Sequence, residues 1–275
     1  MAEQLQDKVV VVTGSASGMG RAMARALAGD GATIAAVDVD PAGLERLGAE
    51  AGFTPRRFLA LPTDISQLEA CRRTIGAVVE RFGTMHALVN CAGVSMAPAM
   101  PPGKQHPLNF WETDPQGWLT IQLINSAGAY FMARFAAEHL MRNGWGRIVN
   151  VTTSFDTMLG RGMSGYGAAK AGLEASAAIW AKELAGTGVT VNVLVPGGRT
   201  DTPFLPPEGR GGALLQPEIM AAPIRWLISP ASDGVNGRRF VARLWDESLP
   251  PAEAAARAGA PAAWEAEAAS ATQSR

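Results

Sequence analysis

The stretch Val9-Val10-Val11-Val12-Thr13-Gly14-Ser15-Ala16-Ser17-Gly18-Met19-Gly20-Arg21 decides how the rest of the chain is read. Four successive β-branched residues are apolar on both sides, the pattern of a strand buried on both faces in a parallel sheet. A Gly/Ser turn follows, and Arg21 to Ala28 has helical composition closed by Gly29 and Gly31. Strand, glycine turn and helix in that order make a cradle for a phosphate. Glycines reach unusual φ values and let the main chain approach an anion, while the helix start offers free N–H groups and a positive dipole end. The spacing is GxxxGxG, not GxGxxG, and a tight strand-to-helix turn explains the glycines equally well when they are taken alone.

The second strand, Thr33 to Val37, ends at Asp38, 18 residues after Gly20. A carboxylate there accepts hydrogen bonds from both hydroxyls of an adenosine ribose and repels a 2′-phosphate. No Arg or Lys lies among Ser15, Ala16 and Ser17 or directly after Asp38, so NAD is favoured over NADP.

Further out, strands are expected at Arg57–Leu61, His86–Asn90, Arg147–Val151, Val189–Val195 and Arg239–Leu244. Helices are expected at Pro41–Ala51, Ser66–Phe82, Trp118–Met141, Ser164–Ala185 and Pro217–Ile228. This alternation predicts an α/β fold: a single Rossmann-like, doubly wound parallel sheet with helices on both faces. Residues 1–249 form the dinucleotide-binding and catalytic domain on this reading, and 250–275 an Ala/Glu-rich C-terminal extension, either a peripheral helix or loosely held. Residues 95–117, with five prolines and the aromatics Phe110 and Trp111, interrupt the rhythm and mark a functional or mobile connection.

Composition excludes several classes. A net charge of -1 across 275 residues gives no basic field for nucleic acid. Cys71 and Cys91 have no CxxC spacing, and His86, His106 and His139 share no metal-ligand spacing, so no metal is expected. The N-terminal segment lacks a signal core and no apolar run is long enough to span a membrane, which makes a soluble cytoplasmic protein the default.

Tyr166 and Lys170 form YxxxK within an expected helix, so they share one face. An ammonium there can lower the phenol pKa and make Tyr166 a general acid/base. A half-buried tyrosine beside a surface lysine is the plainer account of the pair in isolation. The strand Arg147–Val151 delivers Thr152, Thr153 and Ser154 to its C-terminal end, where open α/β sheets bind ligands.

Taken together, Thr13-Gly14-xxx-Gly18-x-Gly20, Asp64, Asn90-Cys91-Ala92-Gly93, Asn125, Tyr166-xxx-Lys170 and Asn192-xxx-Pro196-Gly197 resemble the short-chain dehydrogenase/reductase (SDR) family over residues 5–245. The resemblance implies that Gly14, Ser17, Gly18, Met19, Gly20 and Asp38 hold NAD. Asp64 and Ile65 would adjoin the adenine, and Asn90, Ala92 and Gly93 the adenosine side. Pro196, Gly197 and Thr202 would meet the nicotinamide and pyrophosphate end. It further implies that Asn125 holds a water relaying protons to Lys170, that Lys170 binds the nicotinamide ribose, and that Tyr166 exchanges the hydroxyl proton. The family's catalytic serine falls at Thr153, with Ser154 one residue later. Either hydroxyl serves, and Ser154 is preferred on the supposition that the loop 155–165 absorbs the shift. The loop 196–202 is one residue longer than usual, which brings Arg199 toward the cleft.

The function expected is hydride transfer between NAD(H) and the CH–OH or C=O group of a small alcohol or ketone. The alternatives are a non-catalytic nucleotide-binding scaffold, or a lyase or epimerase using the same pocket. Met96, Phe155, Met158 and Trp111 are candidate pocket walls, and Lys104, His106 and Arg199 candidate anion contacts. The resemblance also implies a homo-oligomer, dimer or tetramer, through the small-residue helices near 118–141 and 166–185.

Overall fold

The computed structural model describes residues 5–50, 52–205 and 212–264. Strands Val9–Thr13 (β1), Thr33–Asp38 (β2), Phe58–Pro62 (β3), Ala87–Asn90 (β4), Gly146–Val151 (β5), Val189–Val195 (β6), Arg238–Val241 (β7) and Gly259–Pro261 (β8) form one sheet in the order β3-β2-β1-β4-β5-β6-β7-β8. All neighbours run parallel except β8, which is antiparallel to β7. The order reverses between β1 and β4, and that switch point opens a crevice at the strands' C-terminal ends.

The apolar runs are apolar because both faces are covered. Val10, Val12, Ile34, Ala36, Val89, Val149 and Leu194 pack with Met23 and Leu27 of helix α1 (Gly18–Gly29), Leu44 of α2 (Pro41–Gly48), and Ile224 and Leu227 of α8 (Ala221–Ile228). Their strand neighbours Val9, Val11, Ala35, Val37, Leu88, Ile148 and Val193 face the other way. They meet Ile75 and Val78 of α3 (Leu68–Phe82), Met132 and Leu140 of α5 (Ala129–Arg142), and Ala177 and Ala181 of α7 (Tyr166–Glu183). Each fully buried Val or Leu contributes roughly 1.5–3 kcal/mol. The expected doubly wound sheet is therefore the fold observed.

Departures from expectation have local causes. The long helix begins three residues early, at Pro115, because Asp114 caps it by accepting from the Gly117 N–H. It runs as α4 (Pro115–Gln122), a π-helical stretch (Leu123–Gly128) and then α5. The strand expected to reach Leu244 stops at Val241, where Ala242–Leu244 coil into a 3-10 turn. A short helix, α6 (Phe155–Met158), occupies the expected loop after β5. Beyond Pro250, α9 (Pro251–Ala258) leads into β8, so part of the Ala-rich segment lies in the sheet. Of the expected helix 41–51, position 51 lies outside the described residues, as do 206–211 and 265–275.

A third, smaller cluster seats the proline-rich insert. Met96, Ala99, Ile121 and Ala169 pack together, with Val94, Met163 and Tyr166 against them. Among the described residues, no helix is long and apolar enough to cross a membrane, and no three His, Cys, Asp or Glu side chains group as a metal site.

Candidate active site

A cleft of about 260 Å³ lies along the C-terminal edge of β1, β2, β4 and β5. One end is made by the glycine turn. Gly14 (φ +70°) and Gly18 (φ +52°) occupy the left-handed region, and a Cβ on Gly14 would stand 2.8 Å from the Ala92 Cα. A Cβ on Gly20 would stand 2.1 Å from the Gly14 carbonyl oxygen, so the turn closes only without side chains at these places. Thr13 ties the turn to the next strand: its Oγ1 accepts from the N–H groups of Cys91 (3.0 Å) and Ala92 (3.1 Å).

Asp38 faces the same cleft from the end of β2. Its Oδ2 accepts from the Ala16 N–H at 3.0 Å and its Oδ1 from the Asp40 N–H at 3.1 Å. Each oxygen keeps a lone pair for a further donor. Ser17, Met19, Asp64, Ile65, Ala92, Gly93 and Thr202 also line the cleft. Asn90, Pro196 and Gly197 do not. Asn90 is buried beneath it and donates to Asn150 Oδ1 (2.9 Å) and to the Ala129 carbonyl (3.2 Å). Pro196 is buried and its carbonyl accepts from the Arg243 N–H at 3.1 Å, while Gly197 lies against Val241 and Arg243. On this side the wall of the cleft is Thr202, Pro203 and Phe204.

Tyr166 and Lys170, one turn apart on α7, line the other end. The loop before Tyr166 is held by α4: Trp118 Nε1 donates to the Ser164 carbonyl (3.1 Å) and Gln122 Nε2 to the Gly165 carbonyl (2.8 Å). The Tyr166 main-chain N–H meets Met96 Sδ at 3.3 Å, and the Phe204 ring lies 5.3 Å from the phenol ring. Lys170 is buried, with Nζ donating to the Val151 carbonyl at 2.9 Å. Burial pulls its pKa down to about 8.

Burial also pushes the Tyr166 phenol up to about 12. The opposing influence is a hydrogen bond with the Thr153 side chain, not the Lys170 ammonium. The expectation that the lysine brings the phenol toward neutrality is therefore not met: desolvation of the phenolate dominates.

The same bond decides between the two hydroxyls. Thr153 is the one beside Tyr166. Ser154, preferred from sequence, is the N-cap of α6: its Oγ accepts from the Thr157 N–H (3.3 Å) and pairs with Thr157 Oγ1 (2.9 Å). The loop does not absorb a shift because this cap starts a helix at once.

Asn125 sits in the π-helical stretch, fully buried. Its Oδ1 accepts from the Val94 N–H and its Nδ2 donates to the Val94 carbonyl, both at 2.8 Å. The side chain thus grips the strand β4 exit, and a Cβ on Gly93 would lie 3.0 Å from Asn125 Oδ1 and 3.5 Å from Lys170 Nζ.

The candidate substrate contacts are mostly engaged elsewhere. Lys104 pairs with Glu112, His106 Nε2 lies 3.1 Å from the Gly162 carbonyl, Arg199 is exposed, and Trp111 is exposed against Phe110. Met158 is buried, and Phe155 lies beneath the Arg239 guanidinium at 4.3 Å. Phe204 and Cys91 also line the cleft.

A nucleotide cradle and a tyrosine–lysine pair on one parallel-sheet cleft define a class, and comparison with known proteins agrees. The family model for short chain dehydrogenases matches residues 8–210. D-threitol dehydrogenase of Mycolicibacterium smegmatis is 32% identical over 253 residues, covering 86% of this chain and 92% of that one. The 3-oxoacyl-(acyl-carrier-protein) reductase FabG of Thermotoga maritima is 29% identical over 246 residues, covering 86% and 96%. The crystal structure of a 3-ketoacyl-(acyl-carrier-protein) reductase from Brucella melitensis complexed with NADH aligns at TM-score 0.72 and 29% identity, covering 83% of this chain and 93% of that one. The chain belongs to the short chain dehydrogenase family. It is an oxidoreductase of the type that acts on alcohol and ketone groups.

Proposed function

We propose that this protein is an NAD(H)-preferring alcohol dehydrogenase or carbonyl reductase in which Tyr166 is the general acid/base. One observation carries the reading: Tyr166 and Lys170 share a single cleft with the side-chain-free turn of Gly14, Gly18 and Gly20 and with Asp38. The turn fits a pyrophosphate, because a Cβ would fill the space at each glycine and the α1 N-terminus is directed there. Asp38 would take the adenosine ribose and disfavour a 2′-phosphate, with Val39 next to it in place of a cation. A bound nicotinamide dinucleotide supplies the hydride donor or acceptor and, when oxidised, a positive ring.

The chain's own residues handle the proton. With its pKa near 12 the phenol is protonated at neutral pH and stands ready to donate to a carbonyl oxygen as it becomes an alkoxide. Thr153, hydrogen-bonded to the same phenol, polarises that oxygen. In the reverse direction Tyr166 accepts the alcohol proton. Lys170, largely protonated at pH 7, binds the nicotinamide ribose. The Asn125 amide is committed to Val94, so its side chain fixes the β4 exit beside Lys170 and is not free to hold the relay water. Asp64, Ile65, Ala92, Gly93 and Thr202 complete the cofactor contacts. A homo-oligomer is part of the proposal, supported by the exposed Tyr130 on α5 and Ile179 on α7.

A non-catalytic scaffold has no use for a buried lysine beside a tyrosine, and a lyase or epimerase accumulates no reduced cofactor. The test is a panel of alcohols and ketones with NAD(H) and NADP(H), followed by NADH absorbance. Substrate-dependent turnover with NAD(H) ahead of NADP(H) is expected. Turnover with NADP(H) alone overturns the role of Asp38, and no turnover with either overturns the reading.

A further inference from the structure

Strand β7 carries Arg239 into the interior, where the residue is 5% exposed. Its partner Glu174 is 0% exposed. Glu174 lies one turn beyond Lys170 and two beyond Tyr166, on the same face of α7. Arg239 Nη1 donates to Glu174 Oε2 at 2.7 Å, and Nη2 donates to the main-chain oxygen of Thr153 at 2.8 Å. Glu174 Oε2 also accepts from Thr152 Oγ1 at 2.6 Å. With Lys170 on the Val151 carbonyl, three consecutive residues leaving β5 are each held by a side chain from α7 or β7.

The end of the described chain closes over this network. The Ala263 N–H donates to Glu174 Oε1 at 3.3 Å from a left-handed backbone (φ +55°), uncommon for a residue with a Cβ. The Trp264 ring lies 5.9 Å from Phe155, the ring under the Arg239 guanidinium.

A buried ion pair is weak grounds for stability, since apolar replacements of both partners are often neutral or better. What apolar side chains would not do is fix the main-chain oxygen of the residue whose hydroxyl meets Tyr166. We propose that Arg239, held by Glu174, is a positioning residue for Thr153, and that the segment Gly259–Trp264 is the clasp that keeps the pair in place. This rests on the reading of Thr153 and Tyr166 given above.

Arg239→Lys tests it, because lysine keeps the charge but loses the planar fork that reaches both oxygens. The expected result is a fall in kcat of about 10- to 100-fold, the scale of a small misplacement of a reacting group, with NAD affinity unchanged. The basic limb of the oxidation pH profile moves to higher pH, because the Thr153 hydrogen bond favours the phenolate. Thr153→Val gives the same two changes, and Arg239→Lys added to it costs little more, the non-additivity of residues acting through one another. The paired replacement Glu174→Met/Arg239→Met removes both buried charges, so it folds yet still loses kcat. Trp264→Ala gives a smaller loss in the same direction, and wild-type kcat in that variant overturns the clasp. Additive losses, an unmoved pH profile, or full kcat in the Met pair overturn the role of Arg239. A crystal structure of Arg239→Lys reads placement without any substrate: Thr153 Oγ1 moves out of hydrogen-bonding reach of Tyr166, and an unmoved threonine overturns the inference even where the wild type transfers no hydride, a result that would fail only the earlier reading.

Discussion

At the proposed nucleotide end of the cleft the wall is largely main chain: Gly14, Gly18 and Gly20 and the N-terminus of α1, with Asp38 beside them accepting from the Ala16 amide. At the proposed reacting end it is side chains: Tyr166, Lys170 and the covering ring of Phe204, with Thr153 bonded to the phenol behind them. The two ends answer to different physics. A main-chain cradle is fixed by sterics and does not change with pH, and it fails when a Cβ is added. A side-chain site depends on burial, protonation and the residues behind it, and it fails by loss of one atom.

That contrast can be broken in four ways. Tyr166→Phe removes a single oxygen from the reacting end and is expected to lower turnover by about 10²–10⁴-fold, the usual worth of a general acid/base; isothermal titration with NAD should give wild-type affinity. Gly20→Ala does the opposite. Its Cβ meets the Gly14 carbonyl, and the overpacking of about 1–3 kcal/mol should appear mainly as weaker NAD binding and a lower melting temperature. Asp38→Ala, the one side chain at the nucleotide end with an assigned contact, should weaken NAD by roughly tenfold, the equivalent of one hydrogen bond, and narrow the NAD/NADP ratio of kcat/KM. Ser154→Ala should cost about 0.5–2 kcal/mol of stability as a lost helix cap and leave kcat near wild type, which separates it from Thr153.

A further effect is on stability against pH. Lys170 releases its proton near pH 8 when folded and near 10.4 when unfolded. Between those values the unfolded chain binds more protons, so this group's contribution to stability rises with pH there and is flat below. Denaturant titrations of wild type and Lys170→Met should diverge in that window; parallel curves would mean the lysine is not desolvated.

Sequence made the nucleotide end legible because its constraints are steric and local. A glycine at each close approach and an acid at a strand end leave their mark in the residue types themselves. The sheet was legible for a related reason, since strands buried on both faces are uniformly apolar. The reacting end was half legible. Tyr166 and Lys170 declare themselves by helical spacing, but Thr153 and Ser154 are adjacent hydroxyls, told apart by the bond of Thr153 to Tyr166 and the capping of α6 by Ser154. Glu174 continues the Tyr166–Lys170 spacing by one more turn, and Arg239 is a charge within a strand, followed by Phe240 and Val241; those two signals were available and went unread. What no pattern carried was their union, because a contact between residues 65 positions apart leaves no local trace.

Strand β8 has a further consequence. It pairs with β7 for only three residues and ends at Pro261, which has no N–H to offer. A sheet border that stops so soon, with a proline in its ladder, gives a foreign β-segment little to template on. The molecule thereby carries its own guard against edge-to-edge aggregation on that flank, and trimming the last strand would expose β7, with its uncapped amides, to association between misassembled copies.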